Sequence, residues 1–512
     1  MIQGHSQDQE VSWSGEIACL IYSHCSSCHN PGGIAPFSLL NYQEVYDYRF
    51  SIVDVIERKY MPPWPADPSY RHFQQENVLS DEEIEMFKDW VAQDAPKGDV
   101  SQAPNPPSYD RGPVIEDPDL VLELPVYKVP ALSDNDLYRC FAFDIDLPAD
   151  AFITAFEVIP GNPAIVHHAL IYESTNPQID ILDAADPEPG YTCFGGIGVA
   201  DVTGIGGWVP GSEAHYFPEG MGMKIPSKTK IVVQVHYPEY GAGEIDSSKV
   251  LFKLSYDNER NISSAPVLNH TVLSLTNGPL FIPANTVKEF RNLFVVPVPV
   301  TIYSVTPHAH LICEAMRSFG VTPSGDTIKF VDIPHWDFDW QKTYNFRHPI
   351  LLPAGTIMHG YARYNNTSSN DHNPNIPPKD VGVGEATTDE MMLFYFTWSE
   401  TEKGDEDIVF EEDGHYQHHE NCEYDLNTSL SHTNQIGDIQ IYPNPASCKL
   451  QILSEKRIDK LVAINAFGVP VLEDRNVGPQ YKIDVSGWPS GVYWIKTNLG
   501  QISEFNKIVV GQ

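Results

Sequence analysis

The 512-residue sequence predicts a mainly β chain: a small helical unit at the N-terminus, then two antiparallel β-sandwiches, then a smaller C-terminal β-sandwich. Helical periodicity is confined to residues 1–98, where Phe87, Trp90 and Val91 recur at helical spacing. Later runs of β-branched residues, such as Ile231-Val-Val-Gln234-Val-His236, alternate with Pro, Gly and Asn turns, the pattern of antiparallel sheets. Composition sets the divisions: 1–98 the helical unit, 99–115 a linker rich in Pro, Gly, Ser and Asp, 116–285 and 286–425 the two sandwiches, 426–435 a second linker and 436–512 the last β unit.

The composition, 42% hydrophobic with 11% aromatic, is that of a globular protein with several cores. No apolar run approaches the ~18 residues of a membrane helix. A net charge of −37 argues against nucleic acid and anionic membrane partners, which would repel it. Its plain meaning is solubility in a salty exterior, with attraction of metal cations as a second reading. Eight cysteines are too few for a disulfide scaffold at this length, so their placement matters more than their number.

In the helical unit, Cys25-Ser-Ser-Cys28-His29 is C-x-x-C-H, the attachment signature of haem c: two thioethers hold the porphyrin vinyls and the histidine is the proximal iron ligand. A bare C-x-x-C-H also fits a redox or zinc fragment. Here a helical segment precedes it, a Pro31-Gly32-Gly33 turn follows, and Lys59-Tyr60-Met61-Pro62-Pro63-Trp64 offers a thioether flanked by prolines. The unit resembles a small cytochrome c domain with Met61 as distal ligand; His72 is the alternative, and a structural Met61 the plainer one. Ser80-Asp-Glu-Glu83 is a capping box, with Leu79 and Ile84 as its hydrophobic staple, and the helix it opens stops near Asp94-Ala-Pro96.

Histidines dominate the middle of the chain. Pro163-Ala-Ile-Val-His167-His168 sets two imidazoles side by side in apolar sequence, which is costly without a shared partner such as a metal ion. Neighbours on an ideal strand face opposite ways, so both can ligate one ion only if the strand bulges or ends there. His236 is a candidate third ligand, on one strand face with Val232 and Gln234. A second pair, His308-Ala-His310, has the i, i+2 spacing that aims both rings the same way. Beyond it Asp389-Glu390-Met391 supplies a soft thioether; sulfur with imidazole favours Cu(I), while three imidazoles suit either copper state. Met358 and His359 rival Met391, His335 is a ligand without support, and His415, His418 and His419 read as solvated. Taken singly, each histidine is more often a satisfied core residue than a ligand.

The order H-H, Q-V-H-Y, H-x-H, D-E-M is hard to produce by accident. In that order the sequence resembles the copper type II, ascorbate-dependent monooxygenases, the group containing dopamine β-monooxygenase and peptidylglycine α-hydroxylating monooxygenase, over residues 116–400. The resemblance implies jelly-roll-like sandwiches and two copper ions: His167, His168 and His236 as the electron-transfer site, His308, His310 and Met391 as the site that binds O2 beside a small organic substrate and hydroxylates a C–H bond. It also implies a Cys140–Cys193 disulfide, and it sets Gln234 and Tyr395 near the substrate cleft, a structural hydrogen-bonding role being the alternative for each. Two departures stand out. Thr306 occupies the place of the arginine with which the peptide-amidating members grip a carboxylate, which argues against a peptide C-terminus as substrate. Met392 replaces the cysteine that follows their ligand methionine. Cys19, Cys313, Cys422 and Cys448 have no pairing that can be deduced.

The last β unit, from Ile439-Gln-Ile-Tyr442-Pro-Asn-Pro445 to Lys507-Ile-Val-Val510, looks like a C-terminal sorting domain of the type IX secretion machinery, with a carbohydrate-binding or adhesive module as the alternative. That address, the haem motif and the implied disulfide predict an exported protein, extracellular or on the cell surface after periplasmic transit. Met1-Ile-Gln-Gly lacks a signal-peptide apolar run and reads as a mature end. The expected function is a copper monooxygenase whose haem relays electrons from an external reductant, ascorbate-like or a redox protein, to the His167/His168/His236 copper. The alternative is a non-enzymatic exported copper-binding or electron-transfer protein.

Overall fold

The computed structural model describes residues 11–410 and 439–511 apart from 32, 34, 110–112, 131–136, 194–195, 210–213, 239–240, 258, 385, 455–456, 466–469 and 500–501. The expected 426–435 linker, Cys422, His415, His418 and His419 lie outside the described residues.

The chain is mainly β, with three α-helices in the N-terminal unit, α1 (Ala18–His24), α2 (Tyr42–Glu57) and α3 (Asp81–Ala92), and a short one, α4 (Gln178–Ala185), in the first sandwich. Local sequence accounts for their ends. The Ser80 hydroxyl accepts the Glu83 N–H at 3.1 Å while the Glu83 carboxylate accepts the Ser80 N–H at 2.7 Å, and Leu79 and Ile84 are both buried beside this box. Asp94 and Ala95 then take φ of 67° and 53°, which stops α3. Asn41 caps α2, its side-chain oxygen accepting the Glu44 N–H at 3.1 Å. Trp13, Ile17, Phe50, Val53, Phe87 and Trp90 form the shared core.

In the first β-sandwich a six-stranded sheet that includes Ala151–Ile159 and Lys249–Ser255 covers a five-stranded sheet ordered Tyr191–Thr192, Leu137–Asp146, Lys228–Tyr237, His168–Ser174 and Thr203–Trp208. Phe156 and Phe252 from one sheet meet Phe141, Ile171, Val233 and Val235 from the other. Each such buried side chain contributes roughly 1.5–3 kcal/mol.

The second sandwich has an inner sheet, Ser263–Leu268, Leu393–Glu400, Val300–His308 and Tyr344–Leu352, and an outer sheet of Thr286–Val295, Ile357–Asn366, Cys313–Val321 and Thr327–Ile333. Ser263–Leu268 corrects the division at 285: the strand pairs with Leu393–Glu400 and belongs here. Alternation of apolar and polar residues is alike in both blocks and does not say which sheet a strand joins.

The C-terminal unit is a third two-layered β body, one sheet of three strands and one of four, closed on Leu450, Ile452, Leu461, Ile495 and Ile508. It packs on the helical unit, where Val462, Ile464 and Trp494 join the helical core. The helical unit also docks on the second sandwich. Asp67 N–H donates to the Asp332 carbonyl at 2.8 Å, Gln74 N–H to the Asn345 carbonyl at 2.9 Å, and Phe73 enters the core of that sandwich beside Phe346. Among the described residues no helix is long and apolar enough to cross a membrane.

Candidate metal centres

His167, His168 and His236 converge because one strand starts where another must be met. The ladder begins at His168, which faces His236 in register, and His167 lies just outside it with its backbone N–H donating to the His236 carbonyl at 3.0 Å. Freed from strand alternation, His167 turns its ring to the same side as its neighbour. The three Nδ1 atoms form a triangle with sides of 3.2, 3.2 and 3.4 Å. Nitrogens bound tetrahedrally to one first-row ion at about 2.0–2.1 Å lie about 3.3–3.4 Å apart, so the triangle already has the span of such a ligand set. Among the described residues this is the one group of three or more His, Cys, Asp or Glu side chains with ligand atoms so close together. Tyr138 stacks on His236 with ring centroids 4.4 Å apart and 5° between planes, which fixes the ring. Burial first, then the neighbouring His236, His167 and His308, holds the His168 pKa well below the usual imidazole value and keeps it neutral, the form that ligates.

Gln234 shares the strand face of His236, but its amide is engaged further along that face. Its amide donates to the Gly196 carbonyl at 3.0 Å and lies 3.5 Å from Cys193 Sγ, which ties it to the loop held by the disulfide. Cys140 and Cys193 are bridged at a sequence separation of 53, with Cα atoms 5.9 Å apart. Cys19 is disulfide-bonded as well, while Cys313 and Cys448 are free thiols.

The second pair lies where the inner sheet of the second sandwich runs out. His308 is opposite Leu393 in the last pair of an antiparallel ladder, and just beyond that pair the backbone N–H groups of His310 and Met391 both donate to the Glu390 carboxyl. The His308 and His310 rings are 5.2 Å apart and nearly perpendicular. His308 Nδ1–H donates to Gln341 Oε1 at 2.6 Å and His310 Nδ1–H to the Asp389 carbonyl at 3.1 Å, which leaves each Nε2 lone pair for an ion. Burial is the main cause that pulls both pKa values down to about 4. Tyr395 lies opposite Thr306 on the face that carries His308, away from the Phe394 and Phe396 core, and Thr306 spends its hydroxyl on Thr343 at 2.8 Å. Met358 is in the core and His359 stacks on Phe319 of the outer sheet, so neither joins this pair.

Two residues at this site carry no clear sequence signal. Glu390, fully buried, accepts the N–H groups of His310 and Ile312 at 2.9 Å each and that of Met391 at 3.2 Å, which ties both arms of the site to one carboxylate. Burial raises its pKa to about 8 against the pull of these N–H groups. His270 accepts the Met392 N–H at 3.2 Å, and burial lowers its pKa.

In the helical unit, Cys25 and Cys28 are free, half-buried thiols at the end of α1. His29 Nδ1–H donates to the Phe37 carbonyl at 3.1 Å, which orients the ring and leaves Nε2 available. Met61 follows α2 with its N–H on the Val55 carbonyl. His72 is exposed and paired with Glu76 at 2.9 Å. Free thiols and an oriented imidazole in one turn are donors of the kind that haem c requires.

Residues 440–511 match the family model described as a secretion system C-terminal sorting domain. The chain therefore carries an address for export to the cell surface or extracellular space. No curated protein matches it significantly. Among solved structures, the BSP domain of a biofilm-associated protein aligns at 9% identity over 78% of this chain and 84% of its own, with a TM-score of 0.14. The β-D-glucuronidase of Dictyoglomus thermophilum aligns at 10% identity over 44% and 36%, with a TM-score of 0.11. At such scores neither likeness bears on fold or activity.

Proposed function

We propose that this exported protein is a copper-dependent monooxygenase that hydroxylates a C–H bond of a small organic substrate with O2, taking electrons from an external donor by way of a covalently attached haem c. The observation that carries the reading is the Nδ1 triangle of His167, His168 and His236. His308, His310 and Met391 offer two imidazoles and a soft sulfur, a set that suits Cu(I) and leaves a coordination position open. Bound there, copper supplies one-electron chemistry with O2.

The chain's own residues prepare both ligand sets. Buried, neutral imidazoles keep their lone pairs in the pH range of natural water. Gln341 and the Asp389 carbonyl hold His308 and His310 in the tautomer that presents Nε2. Glu390 sets the spacing of His310 and Met391 through their backbones. Tyr395 and Thr306 line the same face as His308; Thr306 carries no charge, so a substrate carboxylate gains no ion pair from it.

Oxygen uptake with a reductant, across a panel of small organic substrates, tests the proposal. Substrate-dependent uptake in the native protein and its loss in Met391→Ile support it. A copper-binding or electron-transfer protein would bind the metal yet give no substrate-dependent uptake with any compound.

A further inference from the structure

Lys342 lies in the bend between Phe338–Trp340 and the Tyr344–Leu352 strand, where the helical unit meets the second sandwich. Its ammonium is desolvated, which lowers its pKa, and among the described residues no carboxylate pairs with it. A desolvated cation without a counter-charge is costly. What it touches is the face of Trp64, 5.3 Å from the ring centroid. Trp64 belongs to the helical unit, three residues after Met61, and sits edge-on to Tyr344 at 5.5 Å. Its indole N–H is buried and has no hydrogen-bond acceptor among the described residues. Two donors from two different domains, one charged, are thus left adjacent without an acceptor. The charge of Lys342 is also felt at Cys28, so the pair borders the C-x-x-C-H turn.

We propose that Lys342 and the Trp64 indole N–H form a carboxylate cradle that takes a propionate of the tetrapyrrole carried on Cys25 and Cys28. This rests on the haem reading above and extends it to a residue outside the helical unit. Thioethers hold one edge of the macrocycle through its vinyl groups, while its two carboxylates project from another edge and need cationic or N–H partners. Lys342 supplies the charge and Trp64 a directed donor, and a carboxylate held by both satisfies each in one contact. The cradle also couples the bound group to the oxygen-site candidates, because Lys342 follows Gln341, whose side chain orients His308. Lys342 and Trp64 are positioning residues in this account.

The test uses full-length protein matured with haem, its loading measured as the pyridine haemochrome, and reads the haem midpoint potential by spectroelectrochemical titration. A cation next to haem favours the reduced form. Lys342→Met is therefore expected to lower the reduction constant by about tenfold, which is about 59 mV for one electron. Lys342→Arg should keep the potential near that of the native protein, and Trp64→Phe should lower it by less than Lys342→Met does. Unchanged potentials in both Lys342→Met and Trp64→Phe, at full haem loading and native circular dichroism, would overturn the cradle alone. A protein without covalent haem would overturn the haem reading and this proposal with it, and the haemochrome separates the two failures.

Discussion

His168 and His236 stand opposite each other in adjacent antiparallel strands with their Nδ1 atoms 3.4 Å apart, and the backbone N–H of His167 closes the end of that ladder on the His236 carbonyl. The triangle is thus a property of the sheet register. It needs no loop to move when an ion enters. His236→Ala should therefore remove one copper ion of the two and leave the fold intact. Metal analysis by mass spectrometry, with circular dichroism as control, checks this; two ions retained in the variant would contradict it.

Glu390 is expected to matter more than its distance from the chemistry suggests. Glutamine at 390 keeps the shape but offers one oxygen and an NH2 group to three N–H donors, so at least one donor is left unsatisfied at a cost of about 1–3 kcal/mol. Glu390→Gln should lower stability by that amount and weaken copper at the His308/His310 site selectively, leaving the His167/His168/His236 site loaded. Denaturant unfolding and copper titration read the two effects separately.

The disulfide makes a separate prediction. Closing the Cys140–Cys193 loop of 53 residues contributes about 4 kcal/mol on the chain-entropy model. The double variant Cys140→Ser, Cys193→Ser should lose stability of that order and loosen the Gln234–Gly196 contact. An unchanged denaturation midpoint would show that the bridge constrains nothing that the sheet does not already hold.

A clamp joins the two sandwiches. Arg260, from the first, makes a two-pronged ion pair with buried Asp405, which follows the last inner strand of the second and also accepts the Thr301 hydroxyl. Burial opposes the charge on Asp405, but Arg260 and Thr301 outweigh it and bring the pKa down to about 2. A carboxylate with a depressed folded pKa adds stability above its unfolded value of 3.8 and loses it as pH falls through about 2. Acid should therefore loosen the two sandwiches between those values. Asp405→Ala should cost about 1.5–3 kcal/mol, because it removes the charged hydrogen bonds to Arg260, which keeps only Glu402 and the Glu400 carbonyl. Thermal unfolding from pH 2 to pH 5 is the check, and in Asp405→Ala that part of the pH dependence should vanish.

Local patterns in the sequence account for much of this structure. The Ser80/Glu83 capping box needs only four residues, and strand alternation alone assigns Val233 and Val235 to one face and Gln234 and His236 to the other. The His167/His168 doublet is legible because it makes no sense on an unbroken strand, and the strand indeed starts there. What escapes the sequence is set by long-range packing. Glu390 reads as an ordinary turn acid until the chain returns His310 to it, and His270 is a lone histidine 38 residues before His308 whose position depends on which sheet its strand joins. The boundary near 262 is hidden for the same reason. The docking of Phe73 against Phe346 is invisible because contacts between domains leave no periodic trace in either segment.

The most direct measurement is copper K-edge X-ray absorption of the reduced, copper-loaded protein, with Met391→Ile alongside. Two ions per chain are expected, one with imidazole ligands only and one with a sulfur scatterer besides its imidazoles. In Met391→Ile that sulfur disappears while the three-imidazole signal stays. A single bound ion, or a spectrum with no sulfur contribution that is the same in both proteins, would contradict that expectation.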